Sequence, residues 1–193
     1  MFRNFLLVCM VLATLTIQTQ AISINELNGS PQFKNVYEKT YSFDDASSNR
    51  IVHFLNAYSV ESLEYAAPRY KLKGTFYSVD ERARGWAITE YELTATYDTN
   101  YSLGSLIEAQ KSVKPSPAMY GVIKKAQDES GIQIELQGVH RYTWDGAVVN
   151  GTGKFVHESR PLERSRFDQY LFAIADAMFV VAYQQHFDDI VVK

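Results

Sequence analysis

The amino-acid sequence predicts an α+β domain in which a curved antiparallel sheet of about six or seven strands grips a long C-terminal helix. Apolar residues recur at every second position over about ninety residues after Pro68, which is typical of consecutive strands with one buried face. Helical spacing appears instead over residues 51–67 and again after Pro161. The pattern therefore predicts two short helices after the first strand, then the sheet, then the closing helix.

Residues 1–21 have the composition of a secretory signal peptide. Arg3 is their only charged residue, an apolar run extends from Phe5 to Leu15, and Ala21 is a small residue of the kind that a signal peptidase accepts. The apolar run is too short to anchor the chain in a bilayer. We therefore expect a secreted or periplasmic protein that loses residues 1–21.

The remaining residues have the length and composition of one compact domain. The formal net charge of the chain is −3, and its Lys and Arg residues form no basic stripe, which argues against a nucleic-acid partner. No second apolar run of membrane-spanning length follows Ala21, so we expect no transmembrane segment. Cys9 is the only cysteine and lies in the predicted signal peptide, so the mature chain would have no disulfide. The four histidines show neither HxH nor HExxH spacing, so we expect no metal site and no cofactor.

The domain is expected to follow an irregular segment. Residues 22–34 show little periodicity and are interpreted as a lead-in segment. Residues 35–187 are interpreted as a single domain, and residues 188–193 as a tail.

The first elements of this domain are predicted from local periodicity. Alternation over Val36–Phe43 predicts the first strand. An apolar stripe over residues 51–58 and a second over 61–67, which Pro68 ends, predict the two short helices.

The middle of the chain is dominated by alternating segments. Residues 70–76 and 87–97 predict two half-buried strands, and the second of them places Glu90 on the solvent-facing side. Residues 106–113 and 120–127 are weaker strand candidates.

The strongest local prediction is a β-hairpin over Ile132–His157 around the turn Asp145-Gly146. A two-residue Asp-Gly turn fixes the register, so that Tyr142 is expected opposite Val149. One inward face of the hairpin would then carry Ile132, Ile134, Leu136, Gly138, His140, Tyr142 and Trp144.

This hairpin is expected to leave space around His140. Gly138, Gly151 and Gly153 surround that histidine in the expected register. Glycines so placed suit either the floor of a pocket or a bend at which the sheet coils.

The chain is predicted to close with a long helix over residues 161–185. Pro161 suits the first turn of a helix. Helical spacing relates six apolar residues, Phe167, Tyr170, Leu171, Ile174, Met178 and Val181. Residues 178–183 would also fit a strand, which is the open alternative for this segment.

This order of elements over residues 35–187 resembles the helix-grip fold of the Bet v 1 and START-like superfamily. The resemblance implies a strongly curved sheet that surrounds an interior cavity for sterols, lipids or aromatic metabolites. The chain departs from that family in lacking a recognisable glycine-rich loop between the early strands. A cystatin-like NTF2 cone and a lipocalin-like barrel also make one concave antiparallel sheet and stay open.

Tyrosine is frequent, with 13 residues in the chain. The predicted inward positions include Tyr37, Tyr41, Tyr70, Tyr91, Tyr97 and Tyr142. Buried phenols require hydrogen-bond partners, which a cavity with a ligand supplies. We therefore expect a non-enzymatic binding protein that holds a small apolar molecule between the sheet and the C-terminal helix. The expected ligand-binding residues are His140, Tyr142, Tyr91, Phe155, Phe167, Leu171, Ile174 and Met178, with Phe76 as a further wall.

Two other functions fit the same pattern. A cyclase or hydrolase would use His140 as general base in the same cavity. No nucleophile elbow, P-loop or dinucleotide fingerprint accompanies that histidine in the sequence. A protein-interaction module would instead fill the cavity with its own side chains.

Overall fold

In the described part of the chain, six strands form one antiparallel sheet in which each strand pairs with its neighbours along the sequence. The computed structural model describes residues 22–43, 47–81, 87–110, 121, 124, 126, 128–149, 155–164 and 167–192. The strands are β1 (Phe33–Phe43), β2 (Ser47–Ala66), β3 (Arg69–Asp80), β4 (Ile88–Asp98), β5 (Ile132–Tyr142) and β6 (His157–Leu162). The sheet is curved and unclosed, with β1 and β6 at its edges. The predicted α+β class and the curved antiparallel sheet are confirmed.

The sheet is accompanied by helices α1 (Ile24–Gly29), α2 (Leu103–Gln110) and α3 (Gln169–Tyr183). The side chain of Ser23 caps α1 by accepting a hydrogen bond from the backbone N–H of Glu26. The C-terminal helix α3 packs across β1, β2 and β3, as expected for a helix gripped by the sheet. No helix in these ranges combines the length and the apolar character that a membrane crossing requires.

Helix α3 begins later than predicted, because Pro161 belongs to β6. Pro161 pairs with Gln133 of β5. An edge strand tolerates a residue that lacks the backbone N–H. The helix starts after Asp168 and runs without interruption through residues 178–183, so these residues are helical rather than a strand.

The prediction of two short helices after the first strand is wrong, because residues 47–66 form the long strand β2. Residues 52–55 are all buried, since both faces of the sheet are covered at this point. A strand that is buried on both faces has no period of two, and a short apolar run of this kind cannot be distinguished from a helix by its spacing. The element order that resembled the helix-grip fold therefore lacks its two early helices.

The two weaker strand candidates are also wrong where the structure describes them. Residues 103–110 form α2, and positions 121, 124 and 126 are helical. Residues 111–120 lie outside the described residues. Short apolar segments without flanking turn signals are ambiguous between helix and strand, which explains both errors.

The hairpin after β5 turns through three residues rather than two. The N–H of Thr143 donates to the carbonyl of Ala147, and Tyr142 bridges to Val148, so the expected register is wrong by one residue. Gly146 has φ 93°, the left-handed conformation that closes a three-residue turn with a bulge. The expected partner glycines of the second strand, Gly151 and Gly153, lie outside the described residues.

A bulge in β5 changes which residues share a face. Tyr91 of β4 pairs with Gly138, whereas the preceding residue, Glu90, pairs with His140. Val139 is therefore an extra residue, and the side chains that follow it turn to the opposite face. The prediction that His140 and Tyr142 share a face with Leu136 and Gly138 is wrong for this reason.

The sheet buries apolar side chains on both of its faces. The face that α3 covers, the inner face, carries the larger core, formed by Leu55, Leu72, Phe76, Leu93, Ala95, Tyr97, Ile132, Ile134, Leu136, Leu162, Leu171, Ile174, Ala175, Met178, Phe179 and Phe187. The opposite, outer face carries a smaller core, formed by Ile22, Leu27, Phe33, Val52, Phe54, Tyr77, Val79, Ala87, Ile88 and Tyr142. The segment interpreted as a lead-in thus contributes three buried residues to the outer core, Ile22, Leu27 and Phe33, the second of which belongs to α1.

Candidate functional site

A cavity of about 480 Å³ lies on the inner face beside the N-terminal end of α3. We call it the His53 cavity. Its lining comes from all six strands and from the start of the helix, namely Tyr37, Lys39, Tyr41, Ile51, His53, Phe76, Ser78, Tyr91, Leu136, Val156, Glu158, Phe167 and Tyr170. The volume lies within the range of about 300–1,000 Å³ that is usual for small-molecule sites.

Strand alternation brings these side chains to one side of the sheet. Every second residue of β1, from Tyr37 through Lys39 to Tyr41, faces the cavity. On the next strands, His53 pairs directly with Ser78. The curvature of the sheet then carries the lining round to Glu158 of β6.

His53 is a buried polar residue in the wall of this cavity. It is only 6% exposed, and its ring stacks on Tyr170 with centroids 4.7 Å apart and an interplanar angle of 20°. Its Nδ1 atom is buried and has no hydrogen-bond partner among the described residues. Burial lowers the pKa of His53 to about 4, so the imidazole is neutral at neutral pH. A buried polar atom without a partner costs about 1–3 kcal/mol and calls for an explanation.

Aromatic rings form about half of the rest of the described lining. Phe76 and Tyr91 are stacked with centroids 4.9 Å apart and an interplanar angle of 14°. Phe155 meets the ring of Tyr91 edge-on at 6.4 Å. Burial raises the pKa of Tyr91 above its ordinary value and that of Tyr170 to about 12, so both phenols stay protonated. Phe167 is 89% exposed beside the opening.

Charged groups at the rim hold β6 against the start of α3. Arg160 donates two hydrogen bonds to the carboxylate of Asp168, at 2.5 and 2.6 Å, and a further one to Glu158. The hydrogen bond from Arg160 lowers the pKa of Asp168. On the opposite rim, the ammonium of Lys39 lies 4.8 Å from the centre of the Tyr41 ring. Among the described residues, the lining therefore contains one cation, Lys39, and one anion, Glu158.

A second cavity, of about 560 Å³, lies near the other end of β4 and β5. Its lining includes Tyr97 and Ser130, which are both buried. Tyr97 donates to the carbonyl of Ala175 at 2.8 Å, and Ser130 donates to the carbonyl of Leu162. Because these buried groups are satisfied within the protein, this cavity shows less sign of a ligand than the His53 cavity.

The structure divides the expected ligand-binding residues into three groups. Tyr91 and Phe167 line the His53 cavity, and Phe155 contacts Tyr91. The apolar stripe of α3 is fully buried in the inner core and is not part of the lining; it consists of Leu171, Ile174 and Met178. These side chains pack directly on the sheet, so the space between sheet and helix is filled along most of the helix.

The third group lies on the outer face, on the other side of the sheet. Nδ1 of His140 is 2.9 Å from Oε2 of Glu90, and the hydroxyl of Tyr142 donates to the same oxygen at 2.5 Å. Burial and the hydrogen bond to Glu90 raise the pKa of Tyr142. The side chain of Glu90 is only 17% exposed, so its expected position on a solvent-facing surface is wrong. The sheet therefore separates His140 and Tyr142 from the His53 cavity.

His53 was missed because its segment was interpreted as a helix. In a strand, a histidine between Val52 and Phe54 would point away from both neighbours. A polar residue within the buried run 51–55 was the signal that could have identified it.

Among the described residues, no group of three or more His, Cys, Asp and Glu side chains is arranged to hold a metal ion. Comparisons of the chain with protein-family models, with curated proteins and with solved structures found no match. The chain is therefore assigned to no family, and its function has to be inferred from the site.

Proposed function

We propose that the protein is an exported, non-enzymatic binding protein that holds a small aromatic molecule in the His53 cavity. The observation that carries the proposal is a buried imidazole with an unpartnered nitrogen in the wall of a cavity lined by aromatic rings. Export is proposed from the signal-peptide composition of residues 1–21.

The lining favours an aromatic ligand over a flexible aliphatic one. Rings of Tyr37, Tyr41, Phe76, Tyr91, Phe167 and Tyr170 surround the space together with the imidazole. Each well-placed pair of aromatic rings contributes about 0.5–1.5 kcal/mol beyond the burial of apolar area. The charges of Lys39 and Glu158, the ionised side chains of the described lining, are opposite, which favours a neutral molecule.

The same residues give little support to a hydrolase or cyclase. Ser78 lies directly across from His53, but the unpartnered Nδ1 atom accepts no hydrogen bond from it. An activated serine requires a hydrogen bond to its base, and the base in turn requires an orienting group. Glu158, the carboxylate in the lining, is instead paired with Arg160.

Blocking the cavity tests the proposal. We expect naphthol, indole or methylnaphthalene to bind the wild-type protein in isothermal titration calorimetry. The variant Ser78→Phe places a ring in the cavity and is expected to weaken binding at least about tenfold, because the space is no longer free.

Ser159→Phe is the matched control. Ser159 is exposed, and its neighbours in β6, Glu158 and Arg160, face the inner side, so the new ring would point away from the cavity. The affinity of Ser159→Phe for each of the three compounds is expected to equal that of the wild type. Absence of binding by the wild type for all three compounds, or equal binding by Ser78→Phe, would contradict the proposal and favour an interaction module.

A further inference from the structure

The hydrogen-bonding state of His53 indicates which chemical class of ligand the cavity would bind. This inference rests on the proposed function. We propose that the ligand of the His53 cavity is a neutral aromatic compound with a hydroxyl group, of the phenol or naphthol class, and that this hydroxyl forms a hydrogen bond with the imidazole of His53.

The protein groups around the imidazole do not supply that hydrogen bond. Tyr170 offers the face of its ring, and Phe76 has no polar atom. The ring of Tyr37 is 5.9 Å from the imidazole, but its hydroxyl donates to Gln169 at 3.3 Å. The imidazole is therefore held by ring contacts alone on these sides.

The ring is able to present a nitrogen to the cavity without repacking. Nδ1 has almost no accessible surface in the orientation described, while His53 itself lines the cavity. A half turn about the Cβ–Cγ bond exchanges the nitrogens and carbons on the two edges of the ring but leaves its plane unchanged. The stack on Tyr170 is kept in both orientations.

A hydroxyl group is the partner that matches this imidazole. The low pKa of about 4 keeps His53 neutral, so one ring nitrogen donates and the other accepts. A hydroxyl both donates and accepts, so it pairs with either tautomer. A carboxylate only accepts, and it would lose its hydration against a neutral ring in an aromatic wall. The same desolvation argues against an ammonium group.

A matched pair of compounds tests the inference. Naphthol and methylnaphthalene, substituted at the same ring carbon, have nearly the same shape, but only naphthol carries a hydroxyl. We expect calorimetry to show that the wild type binds naphthol at least about tenfold more tightly than methylnaphthalene. In His53→Phe, which keeps a ring on Tyr170 but has no ring nitrogen, the ratio is expected to fall to about one or to reverse, because the more apolar compound then gains more from burial.

His157→Phe is the control, since His157 is exposed and faces the outer side; it is expected to keep the tenfold preference. Equal binding of the two compounds by the wild type would overturn the inference and leave the proposed function standing. Absence of binding by both compounds would overturn the inference, and absence of binding by indole as well would overturn the proposed function. If His53→Phe fails to fold, the ratio of the naphthol and methylnaphthalene affinities of the wild type still tests the inference.

Discussion

Lowering the pH from 6.5 to about 4 is expected to reduce the free energy of unfolding by about 3 kcal/mol through His53 alone. In the unfolded chain the imidazole titrates near 6.5, and in the folded protein burial lowers its pKa to about 4. Between these values the unfolded state binds more protons, so stability falls as the pH falls. Above about pH 7.5 the ring is neutral in both states, and His53 adds no pH dependence.

The measurement is denaturant unfolding of the wild type and of His53→Phe at several pH values between 4 and 7. The wild type is expected to lose about 3 kcal/mol more than the variant over this window. His186, whose pKa is raised by the hydrogen bond to Asp176, acts with the opposite sign, since its stabilisation is lost as the pH rises. Because His186 is present in both proteins, its contribution cancels when their free energies of unfolding are compared. Parallel pH profiles would show that His53 is not buried as a neutral ring.

Replacing Arg164 by Met is expected to destabilise the fold by about 3–5 kcal/mol. The side chain of Arg164 is only 10% exposed, and its guanidinium forms an ion pair with Asp188 at 2.5 Å. It also donates to main-chain carbonyls, including those of Ala126 at 2.6 Å and Tyr101 at 3.1 Å. Its removal takes the cationic partner from the half-buried carboxylate of Asp188 and a hydrogen-bond donor from several carbonyls. The connection between the end of β6 and the C-terminal segment would be lost.

Arg50→Met is the matched control for this prediction. Arg50 pairs with Glu38 and Glu81, but its side chain is 43% exposed. Ion pairs at the surface contribute about 0–1 kcal/mol, because water and side-chain entropy offset their attraction. Equilibrium unfolding in guanidinium chloride compares the two variants. A loss of stability in Arg164→Met no larger than that in Arg50→Met would refute the role assigned to Arg164.

The elements that sequence reasoning recovered are those with one buried face. In β3, Leu72, Gly74 and Phe76 are buried on the inner face, and the intervening residues are less buried. That alternation is the direct signature of a half-buried strand. The run of β2 from Val52 to Leu55 gives no such signature, because the inner and outer cores cover it from both sides.

The site was harder to predict than the sheet. Tyr91 was identified from strand alternation and Phe167 from helical spacing, and both line the cavity. The bulge at Val139 has no sequence signal of its own, yet it transfers His140 to the other face. This one extra residue therefore places His140 on the face opposite the cavity. The histidine that lines the cavity is His53 of β2.

The nitrogen resonances of the histidine side chains provide the most direct test of the central claim. The chain has four histidines, and NMR distinguishes a ring nitrogen with a hydrogen bond from one without. When naphthol is added, we expect the nitrogen shifts of His53 to change and those of His140, on the outer face, to stay constant. Binding of naphthol with no change at His53 would contradict the account.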